Sequence, residues 1–278
     1  MKALHDGDVK VFIGMGGNFV RAVPDPAYTA EGMAQCSLTV HVSTKLNRSH
    51  LTHGARALIL PCLARTERDE TGYGLQRQSC EDAMSNVQLS LGKRRPASDQ
   101  LLSEPAILAG IARATLPGSA TPWERYAVDY DAIRDVMAKV LPGFEGFNKV
   151  VRGKYGFRIP QPARERDFRT PSGRAEFCLA DLPNVVPDDD QTIVLQTIRS
   201  HDQWNTTIYT NDDRYRGVKN IREIVFMHAD DMAERGISWG GAIDLVSTSK
   251  DGSKRTARGF RAVSYDLPRG VRRATCPS

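Results

Sequence analysis

The chain predicts an α/β unit followed by a small β-barrel with one helix. Three observations carry that class. Strand, helix, strand and strand follow one another over the first 65 residues. Two helical periodicities occupy the middle, and from Gly173 onward the texture turns to short β-branched runs.

The elements can be justified in order. Val9 to Ile13 is a short apolar run of the kind found in buried parallel strands, and it runs into Gly14-Met15-Gly16-Gly17-Asn18. Pro24 and Pro26 mark a loop, then Ala27 to Gln35 reads as helix. Leu38 to Val42 and Arg56 to Leu60 read as strands, the second ending at Pro61. These segments make a doubly wound pattern too short for a complete sheet. Thr66 to Gln78 reads as loop, and its charge run Thr66-Glu67-Arg68-Asp69-Glu70 as a solvated stretch. Glu104 to Thr115 is a helix with Pro105 at its start and Ile107, Leu108 and Ile111 on one face. Asp131 to Leu141 is another, with Ile133, Val136, Met137 and Val140 at helical spacing and Pro142-Gly143 as its stop. Residues 152 to 174 read as a Gly, Pro and Arg rich linker. Ala175 to Leu179, Thr192 to Ile198, Glu223 to Met227, Ala242 to Ser247 and Phe260 to Tyr265 have strand character. Asp251-Gly252 signals a hairpin, and Ala229 to Arg235 a short helix. The divisions expected are 1–65, 66–172 and 173–278.

Composition narrows the function classes. The 278 residues carry Lys+Arg 38 against Asp+Glu 33, a net charge of +5. That excess is mild and sits mostly in residues 152–174 and the last two dozen residues rather than along one element with interleaved aromatics, so a nucleic-acid role ranks last. No apolar run approaches the ~20 residues of a membrane span, and no secretory signal is visible. Cys36, Cys62, Cys80, Cys178 and Cys276 are widely spaced and odd in number, which argues for a reducing, cytoplasmic compartment and against a disulfide framework.

Two motifs carry chemistry. Gly16, Gly17 and Asn18 follow a strand, where glycines let a ligand approach the backbone closely; a plain tight turn fits the local sequence equally well. The denser motif is Thr197-Ile198-Arg199-Ser200-His201-Asp202-Gln203-Trp204-Asn205-Thr206-Thr207. Arg199 can donate in a fork to a phosphate. Gln203 and Asn205 can both donate and accept, as a pterin or purine edge requires. Asn211 to Gly217 follows closely and either completes the same wall or buttresses it. His50-x-x-His53 reads as a loop or turn, because no third ligand completes a metal set.

These residues also carry a resemblance. KVFIGMGGN from Lys10 to Asn18 resembles the Gly-Gly-Asn loop of the molybdopterin oxidoreductases, and Leu58-Ile59-Leu60-Pro61 the strand that follows it there. Thr197 to Thr207 and Asn211 to Gly217 resemble the start of that family's dinucleotide-binding domain, most closely in formate-dehydrogenase-like alpha subunits. The resemblance implies a partial α/β domain followed by a double-psi β-barrel, with bis-molybdopterin guanine dinucleotide held between them. By position, Gly16, Gly17 and Asn18 would line one dinucleotide. Thr197, Arg199, His201, Gln203, Asn205 and Thr206 would line the pterin and pyrophosphate. It further implies two-electron redox chemistry at molybdenum on a small-molecule substrate, often formate, with an electron-transfer partner. The molybdenum ligand and any iron–sulfur cluster are expected outside this chain, and no metal ligand is assigned. Leu267-Pro268-Arg269-Gly270 resembles the family's Pro-Arg-Gly, which continues there as Cys-Ala-Ala. Codons such as GTG CGC CGC, read one base on, yield that triplet, so a frameshift after Gly270 and a barrel cut short are expected. The alternatives are a non-enzymatic cofactor-binding or interaction module and an isolated nucleotide-binding α/β protein.

Overall fold

The computed structural model describes residues 1–181, 192–199, 201–204, 207–213, 216–249 and 252–275, the last five of these by backbone alone. The chain divides into two compact units, Met1–Cys178 and Leu179–Ser278.

The first unit opens with α1 (Lys2–His5), β1 (Val11–Met15), α2 (Phe19–Ala22), α3 (Pro26–Ala34), β2 (Leu38–Ser43) and β3 (Arg56–Pro61). The helix α3 starts where Asp25 accepts the Tyr28 N–H at 3.1 Å and Pro26 occupies the first turn, an ordinary N-terminal cap. The three strands form a parallel sheet of order β1-β2-β3, with Ile13 opposite Val40 and Val40 opposite Leu58. Leu4, Val20, Met33 and Cys36 pack with Phe12 and Phe19 on one face.

The strand β1 begins two residues later than its apolar run suggested, and it is not fully buried. Val11, Ile13 and Met15 are exposed. They sit on the opposite face, where Val42, Leu60 and Cys62 receive Ile107 and Ile111 from α4 (Glu104–Thr115) at the carboxyl end alone.

Residues 66–78, expected as loop, are more ordered than that, and strands continue to Ser90. This stretch holds β4 (Glu70–Thr71) paired with β5 (Gly74–Leu75), and β6 (Gln78–Glu81) paired with β7 (Asn86–Ser90). After α4 come α5 (Trp123–Val128), α6 (Tyr130–Val140), α7 (Phe147–Val150) and β8 (Phe157–Arg158), which completes the antiparallel sheet β6-β7-β8. These short strands lack alternation long enough to read. Phe144, Phe147 and Phe157 hold them together edge to face, at 5.0 to 5.4 Å between ring centroids. The apolar positions expected to face inward are partly exposed: Leu108 on α4, and Val136 and Val140 on α6. The buried residues of α6 are Tyr130 and Arg134, and of the expected stripe Met137 packs beside them against Val87, Phe147 and Val151. Ala175–Leu179 is irregular and exposed rather than a strand.

The second unit contains β9 (Val194–Ile198), β10 (Gln203–Trp204), β11 (Thr207–Ile208), β12 (Asp212–Asp213), β13 (Val218–Lys219), β14 (Ile224–Met227), α8 (Ala229–Glu234), β15 (Ala242–Thr248), β16 (Lys254–Ser264) and β17 (Val271–Thr275). Its main sheet has the order β15-β16-β14-β17-β9 and mixes parallel with antiparallel pairs. The hairpin signal holds, since Thr248 pairs with Lys254; Asp251 lies outside the described residues. β14 is apolar at every position because both its faces are covered: Val225 and Met227 meet Met232 and Phe260, while Ile224 and Phe226 meet Val218 and Leu267. The segment after Gly270 carries no alternation to read, yet Val271–Thr275 pairs with both β9 and β14. Ahead of it, Arg269 pairs with Asp231 and Glu234, and the Gly270 N–H donates to Asp231 at 3.0 Å.

Candidate functional site

The glycine loop lies at the carboxyl end of β1. Gly16 and Gly17 have φ of +64° and +71°, a left-handed conformation that a side chain would strain. The Gly16 N–H donates to the Val42 carbonyl at 2.7 Å, which ties the loop to the neighbouring strand. Gly16 and Gly17 are exposed, whereas Asn18 is half-buried and begins α2. The Asn18 Oδ1 accepts from Ser49 Oγ at 3.3 Å, which leaves its Nδ2 hydrogens available to an acceptor. Ser49 Oγ in turn accepts the Val20 N–H at 3.1 Å. Asn47 Nδ2 donates to the Gly17 carbonyl at 2.7 Å. Asn47 caps and Ser49 lies in a 3-10 turn, Arg48–Leu51, where the sequence reads as a loop or turn.

In the second unit, β9 ends at Ile198 and releases the polar motif. Thr197 and Arg199 are exposed, while His201 and Gln203 are half-buried. Asn205 and Thr206 lie outside the described residues, as do Arg214 and Tyr215. His201 Nδ1 lies 3.2 Å from Asp213 Oδ1 and 3.1 Å from Arg216 Nη1. Arg216 also donates to Asp213 Oδ2 at 2.7 Å. Burial alone would raise the Asp213 carboxyl, but the hydrogen bond and charge of Arg216, helped by His201, hold it below the usual carboxylate range. Asp213 and Arg216 therefore buttress His201. Arg222 plays the same part for Gln203, donating to its Oε1 at 2.5 Å. Arg222 carried no sequence signal, because a lone arginine ahead of the strand Glu223 to Met227 does not reveal its partner. His201, Asp213 and Arg222 border one small cleft with Thr210 and Asn211.

A cavity of about 640 Å³ in the first unit lies elsewhere. Arg68, Asp69, Arg95, Asp99, Leu102 and Ser103 are among its lining residues. The charge run beside it is structural rather than merely solvated. Glu67 accepts the Ala64 and Ala97 N–H groups, each at 2.7 Å, and Asp69 accepts the buried Tyr130 hydroxyl. Burial foremost, and the Asp69 carboxylate next, push that hydroxyl above the ordinary tyrosine range.

Comparison with known proteins adds an independent line. Residues 193–270 match the Molydopterin dinucleotide binding domain. The whole chain is 50% identical to an uncharacterized oxidoreductase of Mycobacterium tuberculosis, covering 36% of that protein. It is 42% identical over 93% of its length to Protein YdeP of Escherichia coli, covering 34% of it. The chain thus spans about a third of the length of these relatives. Its structure is similar to acetylene hydratase from Pelobacter acetylenicus, with a TM-score of 0.57 at 13% identity over the whole chain and 38% of that protein, a likeness of fold. Residues 193–270 are thus similar to the Molydopterin dinucleotide binding domain, within a chain similar along its whole length to a protein named as an uncharacterized oxidoreductase.

Proposed function

We propose that the chain is the C-terminal portion of a molybdenum-dependent oxidoreductase of the formate-dehydrogenase-like kind, and that it binds bis-molybdopterin guanine dinucleotide. The observation that carries this reading is the domain match over residues 193–270, which contains the polar motif from Thr197 to Thr206. The donor set fits such a group. Gly16 and Gly17 offer exposed backbone with no Cβ, and Asn18 offers an oriented amide. Arg199 is an exposed cation suited to a pyrophosphate, while His201 and Gln203 are each held from behind by a charged partner.

When bound, the metal and its pterins supply two-electron redox chemistry. The residues of this chain bind and orient. Arg199 neutralises phosphate charge, Gln203 reads a ring edge, and Asp213 and Arg216 fix the His201 imidazole. In this reading the second unit closes as a double-psi barrel. The molybdenum ligand, any iron–sulfur cluster and the residues selecting a small-molecule substrate belong to the rest of a cytoplasmic protein that passes electrons to a partner.

Oxidative extraction of the purified chain for fluorescent pterin tests the cofactor. Arg199→Ala, made at the matching position of the full-length mycobacterial relative, is expected to lower cofactor retention. The loss of a charge-assisted phosphate contact corresponds to about 1.5–3 kcal/mol, or roughly tenfold to a hundredfold. Equal cofactor content in variant and parent would contradict this placement. Sequencing upstream of the gene for a molybdenum-ligand loop in the same frame tests the larger reading.

A further inference from the structure

Of the histidines at 50 and 53, which among the described residues are joined by no third metal-ligating side chain, one occupies an unusual place. His50 is the third residue of the 3-10 turn Arg48–Leu51, and it closes a capping box with Asn47. The Asn47 N–H donates to His50 Nδ1 at 2.9 Å, while the Asn47 carboxamide oxygen accepts the Ser49 N–H at 2.9 Å. In that arrangement Nδ1 must be bare. The same nitrogen lies 3.3 Å from the Asn47 carbonyl and 3.2 Å from its Oδ1. A proton on Nδ1 therefore abolishes the first bond and finds two competing acceptors on the same residue. One of these is the oxygen that Ser49 uses.

Both Asn47 and Ser49 hold the glycine loop, through the Gly17 carbonyl and Asn18 Oδ1. His50 is 8% exposed and stacks at a tilt on His41, which is 5% exposed, with 4.9 Å between ring centroids. The Nε2 atoms of both rings are buried without a hydrogen-bond partner. A second charge beside the first would have nowhere to go. From β2 the titratable neighbour is His41 itself. Phe12 and Gly14 of β1 lie against His41, and Val20 of α2 bonds Ser49; none of the three titrates. The turn adds Arg48, and the loop after it adds His53, whose Nδ1 lies 2.8 Å from the Gly54 carbonyl. No carboxylate stands among these groups to welcome an imidazolium.

We propose that the Asn47–Ser49–His50 turn is the positioning element of the Gly16-Gly17-Asn18 loop, and that His50 makes it a proton-sensitive latch. The latch is closed with neutral imidazole and released when Nδ1 is protonated. The ligand half of this inference rests on the reading of the loop given under Proposed function; the latch itself rests on the geometry of the turn.

The test exploits the capping chemistry. Glutamine is an ordinary third residue of a capping box, so His50→Gln keeps an acceptor for the Asn47 N–H at every pH. Amide hydrogen-exchange protection of Asn47, Ser49 and Val20 is measured on the full chain across the range in which NMR shows the His50 ring to titrate. The parent is expected to lose protection about fivefold or more as the ring takes up its proton, the scale of a lost cap, while His50→Gln stays flat. Protection that is independent of pH in the parent, or that falls equally in His50→Gln, overturns the latch. Guanosine diphosphate is the probe for the ligand half. Binding that weakens on acidification in the parent and not in His50→Gln supports it. Absence of binding by both proteins at every pH overturns that half while the exchange data still decide the latch.

Discussion

At the scale of single residues, the charged and polar side chains of this protein are placed by their partners. His41 illustrates the energetic consequence. Burial foremost, and the nearby His50 next, hold its imidazole below the ordinary histidine range. The unfolded chain therefore takes up this proton first as pH falls. Stability contributed by neutral His41 is complete above about pH 6.5, the unfolded value, and is lost as pH drops toward the folded value. Urea unfolding at pH 7.5 and 5.5 is expected to show a less stable first unit at the lower pH, with a smaller difference in His41→Gln. An equal difference in the two proteins would remove His41 as its source. The residue identities of the glycine loop and the polar motif were legible in the sequence, because glycine, arginine and amides announce themselves by type. Asp213 and Arg216 fall in the segment expected to complete or buttress that wall, whereas Arg222 acquires meaning only when the chain brings it to Gln203.

At the scale of elements, α6 shows how a buried cation can override an apolar stripe. Arg134 is 4% exposed, and its guanidinium donates to Asn148 Oδ1 at 2.7 Å and the Arg77 carbonyl at 2.8 Å and pairs with Asp131. Burial would raise the Asp131 carboxyl, but the hydrogen bonds of Arg152 and Arg134 outweigh it and lower its pKa. Arg134→Met would keep most of the volume and strand Asn148 and the Arg77 carbonyl. It is expected to cost about 1–3 kcal/mol, the scale for leaving a buried hydrogen-bond partner unsatisfied, since Asp131 itself is partly exposed and can rehydrate. A midpoint in urea unchanged from the parent would show that the network is incidental. The position and length of α6 followed from its periodicity and the Pro142-Gly143 stop. Its inner face did not, since Arg134 counts as polar in any hydropathy pattern.

At the scale of the whole molecule, the two units are joined through an exposed, irregular stretch. Arg164, Arg166, Arg169 and Arg174 all lie there in the open, and Phe177 and Leu179 are each 97% exposed. Exposed backbone without ladder hydrogen bonds is where proteases cut first. Brief trypsin treatment is expected to cleave between residues 164 and 174, in the exposed tail of the first unit, and leave the part of that unit ahead of the cut intact, as mass spectrometry of the early fragments can read. First cuts inside β14 or α4 would contradict this division. No helix of the described residues is long and apolar enough to cross a membrane.

What the sequence determined by itself is local. Caps, stops and turns are written in residues a few positions apart, so α3, α4 and the β15–β16 hairpin could be read directly. The apolar continuity of β14 could be read too, because a strand covered on both faces has no polar position to disguise it. Only the tertiary structure decided which polar groups meet. Asp69 and Tyr130, Ser49 and Asn18, and Arg222 and Gln203 are 61, 31 and 19 residues apart, and each pair exists because folding removes both groups from water together. The strands β6, β7 and β8 and the tail strand β17 belong to the same category. Their stability lies in ladder bonds and packing supplied by distant segments, and no pattern within a strand of two to five residues can record that.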